Sequence, residues 1–240
     1  MKVLDFNKYD LFIVDFDGTI VDTMKMWKTL CLDFIRSLNV EPDEEIYYKI
    51  KSKTNIEIAK TIRDEYFKEY SYEEIIHLFF EYIKREYVKN DLKPNAIKLL
   101  ENLNKSGKVV LYSATALSVL DVLLDKLNLR KYYFNIYSGS DLGLSKADGT
   151  GYLKIIELEG GCNKALILED ALHAIKGAKA QGLDVLGIVD YSNMHCLDAL
   201  NELSDYVIDL KDMGTRDYNP HLRKWYKKII FSGIIYFVWR

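Results

Sequence analysis

Six short apolar runs recur along the chain with no polar alternation inside them, and they limit the possible folds more than any other feature. They are LFIVD (Leu11 to Asp15), KVVLYS (Lys108 to Ser113), NIYSG (Asn135 to Gly139), ALILED (Ala165 to Asp170), DVLGIVD (Asp184 to Asp190) and the weaker DYVID (Asp205 to Asp209). A half-exposed strand alternates apolar and polar residues. A run that is apolar throughout is buried on both faces, as in a parallel sheet covered by helices. Helix-like segments lie between the runs. Before KVVLYS, Pro94 suits a first helical turn, Ile97, Leu100 and Leu103 share a face, and Gly107 fits just past the end. The expected fold class is α/β, with a doubly wound, mostly parallel sheet.

One interval is too long for a single crossover helix. From Val21 to Asp91 only helical periodicity is present. SYEEIIHLFFEYIKREYV opens with Ser71 and Glu74 at capping-box spacing and sets Ile75, Phe79, Ile83 and Tyr87 on one face. TNIEIAKTIRDEYF and DEEIYYKI read as helices too. The expected organisation is a core of residues 1–20 and 92–214, an inserted all-helical cap of residues 21–91, and an extension of residues 215–240.

Ligands of open α/β sheets bind outside the carboxyl ends of the strands. Here the first run continues as Asp15-Phe16-Asp17-Gly18-Thr19, the second ends in Ser113-Ala114-Thr115, and the fourth ends in Glu169-Asp170. Lys146 follows the third, in GSDLGLSKADG. Two aspartates one residue apart at a buried strand end repel each other. Either they close a tight, solvated turn, or they share a divalent cation with an anionic substrate. Mg²⁺ suits the second reading, since it takes oxygen ligands and commonly binds one or two carboxylates plus phosphate oxygens. Asp170 and Ser113 each have a second reading as helix N-caps. For Lys146 the second reading is a solvated loop lysine.

With these motifs in order, each at a strand end, the chain resembles the haloacid dehalogenase superfamily. The similarity is to the branch with a helical cap inserted after the first motif, which holds phosphoglycolate phosphatase-like and β-phosphoglucomutase-like proteins. It runs from about Tyr9 to Gly214. The resemblance implies a Rossmann-like core and phosphoryl transfer with Mg²⁺ as cofactor. It implies Asp15 as the nucleophile that forms an aspartyl-phosphate, and Asp17 as the acid and base, its backbone carbonyl also binding the metal. Asp170 would bind the metal directly, and Glu169 directly or through water. Ser113 and Lys146 would hold the transferring oxygens, helped by the N–H groups of Ala114 and Gly18 and by the N-terminus of the following helix. Dehalogenation needs no acid for a departing alkoxide, and that branch lacks the second aspartate, so Asp17 favours phosphate esters. Two departures stand out. Lys146 is followed by Ala147-Asp148-Gly149 where relatives carry prolines, which makes Lys154 a second candidate for the cation. Ala171 and Ala174 replace the usual Ser and Gly.

Capped relatives set specificity through the cap, which would close as a lid. By position, Lys51, Lys53, Thr54 and Asn55 are candidates for contacting substrate, and so are Trp27 and Lys28 beyond the linker. Each also reads as part of a solvated helix face. The expected partner is a small-molecule phosphomonoester. A net charge of -3 with both signs mixed argues against nucleic acid. Three widely spaced cysteines (Cys31, Cys162, Cys196) make neither a disulfide framework nor a metal pair, and with no apparent signal peptide they fit a reducing cytoplasm. His77 and His173 read as structural or exposed. The C-terminal RKWYKKIIFSGIIYFVWR has three readings: docking on its own core, a contact in a homodimer or with a partner, or membrane-surface contact as an interfacial helix. Its apolar stretch is too short to span a bilayer. The function expected is a Mg²⁺-dependent phosphatase. The alternatives are a phosphomutase of the β-phosphoglucomutase type and a non-catalytic scaffold or membrane-peripheral protein.

Overall fold

The computed structural model describes residues 4–43, 45–50, 53–213, 226–231 and 234–239. The chain divides into two compact units, Met1–Met24 with Asp91–Arg240, and Lys25–Asn90. Its strands are β1 (Leu4–Asp5), β2 (Leu11–Val14), β3 (Lys108–Ser113), β4 (Asn135–Ser138), β5 (Ala165–Glu169), β6 (Asp184–Ile188), β7 (Tyr206–Ile208), β8 (Tyr226–Phe231) and β9 (Ile234–Trp239). The helices are α1 (Met24–Ser37), α2 (Glu45–Ile50), α3 (Asn55–Tyr66), α4 (Tyr72–Tyr87), α5 (Ala96–Ser106), α6 (Leu117–Lys126), α7 (Gly139–Leu142), α8 (Thr150–Leu158), α9 (Leu172–Ala180) and α10 (Leu197–Leu203).

The first unit is built on one sheet in the order β1-β8-β9-β7-β6-β5-β2-β3-β4. From β7 to β4 all neighbours are parallel, and these strands are the six apolar runs. Every residue of β2 and β5 is buried, which is why those runs carry no polar alternation. One layer of the core gathers Leu11, Ile13, Val110, Ile167 and Val185 from the sheet with Ile155 of α8 and Ile175 of α9. Each such side chain contributes about 1.5–3 kcal/mol when taken out of water. The chain winds from β2 through β3 to β4, then returns to β5 on the other side of β2. That reversal puts the topological switch point between β2 and β5.

The C-terminal run forms an antiparallel pair, β8 with β9, joined to the core sheet through β9 on β7, with β1 added in parallel on the outer edge of β8. Of the three readings of this segment, docking on its own core is the one adopted. The interfacial-helix reading is corrected: its Ile, Tyr, Phe, Val and Trp residues suit strands better than a helix. Among the described residues no helix is long and apolar enough to cross a membrane. A smaller correction concerns α5, which starts at Ala96. Pro94 precedes it by two residues, and Asn95 between them is left-handed at φ 59°.

The second unit is helical. In α4 the Ser71 hydroxyl accepts from Glu74 N–H while the Glu74 carboxylate accepts from Ser71 N–H, and Ile75, Phe79, Ile83 and Tyr87 are all buried. Thr54 and Glu57 form the same reciprocal cap at the start of α3.

Candidate active site

Strand register assembles the site. Val14 of β2 pairs with Leu168 of β5, and Asp15 N–H donates to the Leu168 carbonyl at 3.0 Å, so Asp15 leaves its strand level with Glu169. Both sit at the switch point. Asp15, Glu169 and Asp170 present oxygens within 4.8 Å of one another, and all three residues are buried. Lys146 enters from the loop after β4. Its ammonium donates to Asp15 Oδ1 and, at 2.9 Å, to Glu169 Oε2. The solvated-lysine reading is therefore corrected, and Lys154 is no substitute, because it is exposed on α8 and paired with Glu157. The turn that departs from the family pattern is rebuilt by other means. Asp148 accepts from the N–H and hydroxyl of Thr150, and Gly149, at φ 78°, brings the start of α8 onto α9 where a Cβ would stand 2.1 Å from the Gly177 carbonyl.

The carboxylates differ in their commitments. Glu169 Oε2 accepts from Lys146 and from the Tyr152 hydroxyl (3.0 Å), while Oε1 accepts from the N–H groups of Asp170 and Ala171. Asp15 Oδ2 and Asp170 Oδ2 are buried with no hydrogen-bond partner. Burial, then the charge of Glu169, pushes Asp15 up to about 7 against the pull of Lys146. Asp170 is raised well above the usual carboxylate range by burial and by Glu169 and Asp15. For Lys146 burial favours the neutral amine, but Asp15 and Glu169 outweigh it and hold the ammonium charged. A further positive charge is what this cluster lacks. Two uncommitted hard oxygens fit Mg²⁺.

Asp17 is held from outside the cluster. Thr23 Oγ1 donates to its Oδ1 at 2.7 Å, Thr115 Oγ1 to its Oδ2 at 2.8 Å, and Ser113 Oγ to Oδ2 at 3.4 Å. Ser113 Oγ also accepts from Thr115 N–H. Thr23 and Thr115 had no role in the sequence reading, though Thr115 lies two residues beyond Ser113 at the same strand tip. Tyr152, also missed, is an ordinary aromatic of a helical face until the fold brings its hydroxyl to Glu169.

The backbone groups around the site have protein partners of their own. Gly18 N–H donates to the Val21 carbonyl at 2.9 Å. What the position needs is the missing Cβ, which would stand 2.3 Å from Asp170 Oδ2. Neither Asp170 nor Ser113 is an N-cap, since those positions fall to Ala171 for α9 and Ala116 for α6. The first N–H of α6, on Leu117, donates to the Asp141 carboxylate. One N–H of that helix end is therefore taken by a carboxylate. Ala114 is exposed at the tip of β3.

The specificity candidates lie in the second unit. Trp27 stacks in a tilted contact on Tyr87, and Lys28 is exposed on α1. Lys53 donates to the Thr61 hydroxyl, Thr54 caps α3, and Asn55 is the first residue of that helix. Lys51 lies outside the described residues. His77 and His173 are exposed.

Residues 12–188 match the family model described as haloacid dehalogenase-like hydrolase. An uncharacterised protein of Haemophilus influenzae is 26% identical over 195 residues, 76% of this chain and 92% of that protein. Two solved structures align with a TM-score of 0.68. One, described as a candidate β-phosphoglucomutase from Thermotoga maritima, is 22% identical and covers 85% of this chain and 95% of its own. The other, CbbY from Rhodobacter sphaeroides in complex with phosphate, is 18% identical and covers 86% and 96%.

Proposed function

The chain belongs to the haloacid dehalogenase-like hydrolase family, and from that premise we propose that it is a Mg²⁺-dependent phosphatase acting on a small phosphorylated metabolite. The reading is carried by one observation: Asp15 Oδ2 and Asp170 Oδ2 are buried and uncommitted beside a buried ammonium. These two carboxylates, with the backbone carbonyl of Asp17, would hold the cation, which when bound supplies charge neutralisation for the phosphoryl oxygens. Glu169, with four protein donors on its oxygens, acts by anchoring Lys146.

Phosphate monoesters resist hydrolysis because their anionic oxygens repel nucleophiles and the alkoxide leaves poorly. Asp15 answers the first difficulty from a fixed position. Its oxygen bonds to phosphorus as the ester P–O bond breaks, giving an aspartyl-phosphate. Asp17 answers the second by giving its proton to the departing oxygen. It then takes a proton from the water that attacks the aspartyl-phosphate, which frees Asp15 and releases inorganic phosphate. Thr23 and Thr115 keep the Asp17 carboxylate oriented through both steps. Lys146 remains charged and offsets the negative charge gathering around Asp15.

The test is phosphate release from a panel of sugar phosphates, phosphoglycolate and nucleotides with Mg²⁺, beside Asp15→Asn. Turnover of one ester that is lost in the variant and on removing the metal supports the reading. A wild type as silent as the variant across the panel removes it. Activity that needs a bisphosphate activator and frees little phosphate redirects it to a phosphomutase.

A further inference from the structure

Lys93 is a buried lysine that the chemistry above does not use. It lies where the chain re-enters the first unit, and its backbone N–H donates to the Ile20 carbonyl at 2.9 Å. Its ammonium donates to Gly18 O at 2.6 Å, Val189 O at 3.0 Å and Asp190 Oδ2 at 2.7 Å. All three N–H groups of the ammonium are thus committed. From there the bonding continues. Asp190 Oδ1 accepts from Ser192 N–H, and Asp190 N–H donates to Asn193 Oδ1. Asn193 Nδ2 donates to the backbone carbonyl of Asp170 at 3.0 Å and to that of Ile188 at 2.9 Å. The network therefore runs from the residue after Asp17 to the backbone of Asp170. All of its members belong to one unit of the fold.

A buried lysine–aspartate pair is weak evidence for a stabilising role, because two apolar residues of similar volume usually do as well. Its three anchors point elsewhere. They tie the loop that leaves β2 to the loop that leaves β6, Asn193 extends the tie to the β5 loop, and the β2 and β5 loops carry the carboxylates. The fit between those two loops is close, since even a Cβ on Gly18 would overlap Asp170 Oδ2. A small slip of the β2 loop would then displace the uncommitted oxygens from each other. We propose that Lys93, acting with Asp190 and Asn193, is a positioning residue that holds the Asp15–Gly18 turn in register with Asp170 for cation binding. This rests on the reading of Asp15 and Asp170 as the cation-holding pair.

The test is Mg²⁺ binding to the full chain by isothermal titration calorimetry, with kcat, KM and thermal midpoint alongside. The double variant Lys93→Met, Asp190→Asn removes both charges and leaves the net charge unchanged. Mg²⁺ affinity and kcat should each fall about 10- to 100-fold, as when a group orienting a metal ligand is lost, with KM little changed and the fold retained. Asn193→Ala disturbs no buried charge and should weaken Mg²⁺ binding in the same direction, so it decides the matter if the double variant does not fold. Wild-type affinity in the variants, with only the thermal midpoint lowered, reduces Lys93 to a structural role and overturns the proposal. A wild-type chain that binds no Mg²⁺ overturns the phosphatase reading first, and the positioning role with it.

Discussion

Thr115 donates to Asp17 at 2.8 Å, on the oxygen opposite the one that Thr23 holds. The proposed role of Asp17 passes a proton twice per turnover, which benefits from a fixed direction, and these two hydroxyls provide it. Thr115→Val keeps the shape and removes the donor. Losing a hydrogen bond to a charged group costs about 1.5–3 kcal/mol, so kcat should fall roughly 10- to 100-fold. KM should hold, because the proposed role of Asp17 is proton transfer, not substrate binding. Steady-state kinetics on the ester found by the panel give both numbers. An unchanged kcat would leave orientation to Thr23 alone.

Asp15 makes the metal-free protein sensitive to pH in an unusual direction. Its carboxyl rises from 3.8 to about 7 on folding, so between those values the native state holds a proton that the unfolded chain releases. Stability is then greatest below the unfolded value and falls as pH rises toward the folded one, by up to about 4 kcal/mol. Without divalent cations the thermal midpoint should drop from about pH 5 to about pH 8, and Asp15→Asn should drop less. Mg²⁺ should restore more at the higher pH, where its ligands are ionised. Melting curves with and without chelator show whether the slopes differ. Parallel wild-type and variant slopes would remove Asp15 as the cause.

Tyr152 is a neutral donor aimed at Glu169, its ionisation pushed far upward by burial and by the nearby carboxylates. Tyr152→Phe leaves the edge-on contact with Tyr112 in place and removes one of four donors to Glu169. Denaturant unfolding should show a loss of about 1–3 kcal/mol. A loss near zero would mean that Lys146 and the two backbone N–H groups already satisfy Glu169.

These residues show what a sequence can and cannot disclose. The six core strands were legible because burial on both faces leaves an unmixed apolar run, and α4 announces its start with the Ser71–Glu74 spacing of a reciprocal cap. β8 and β9 were not, since a short apolar run fits a strand or a buried helix equally well. The site divides in the same way. Asp15, Glu169 and Asp170 carry chemistry that is improbable at an apolar strand end, so their residue types point to them, and Lys146 follows in the loop after the third run. Lys93 is one of many lysines, and only the fold closes the 75-residue gap to Gly18. At the start of α6 the Leu117 N–H meets a side chain from another loop, Asp141, which only the fold brings there.

Gly18 gives a prediction with its own control. A Cβ there would meet Asp170 Oδ2 at 2.3 Å and Met24 Cγ at 2.8 Å, on a backbone already at φ 80°. Gly182 has a similar φ of 74° and no atom within 4 Å of where its Cβ would stand. Gly182→Ala should therefore carry only the left-handed backbone cost, about 1–2 kcal/mol. Gly18→Ala should carry that and more, because the carboxylate of Asp170 must move or the turn must. The excess should appear in Mg²⁺ affinity as well as in stability, since the displaced oxygen is one of the two without a partner. Urea unfolding and Mg²⁺ titration of both variants separate the terms. Equal losses in stability and wild-type metal affinity in both would show that Gly18 serves only its backbone angle.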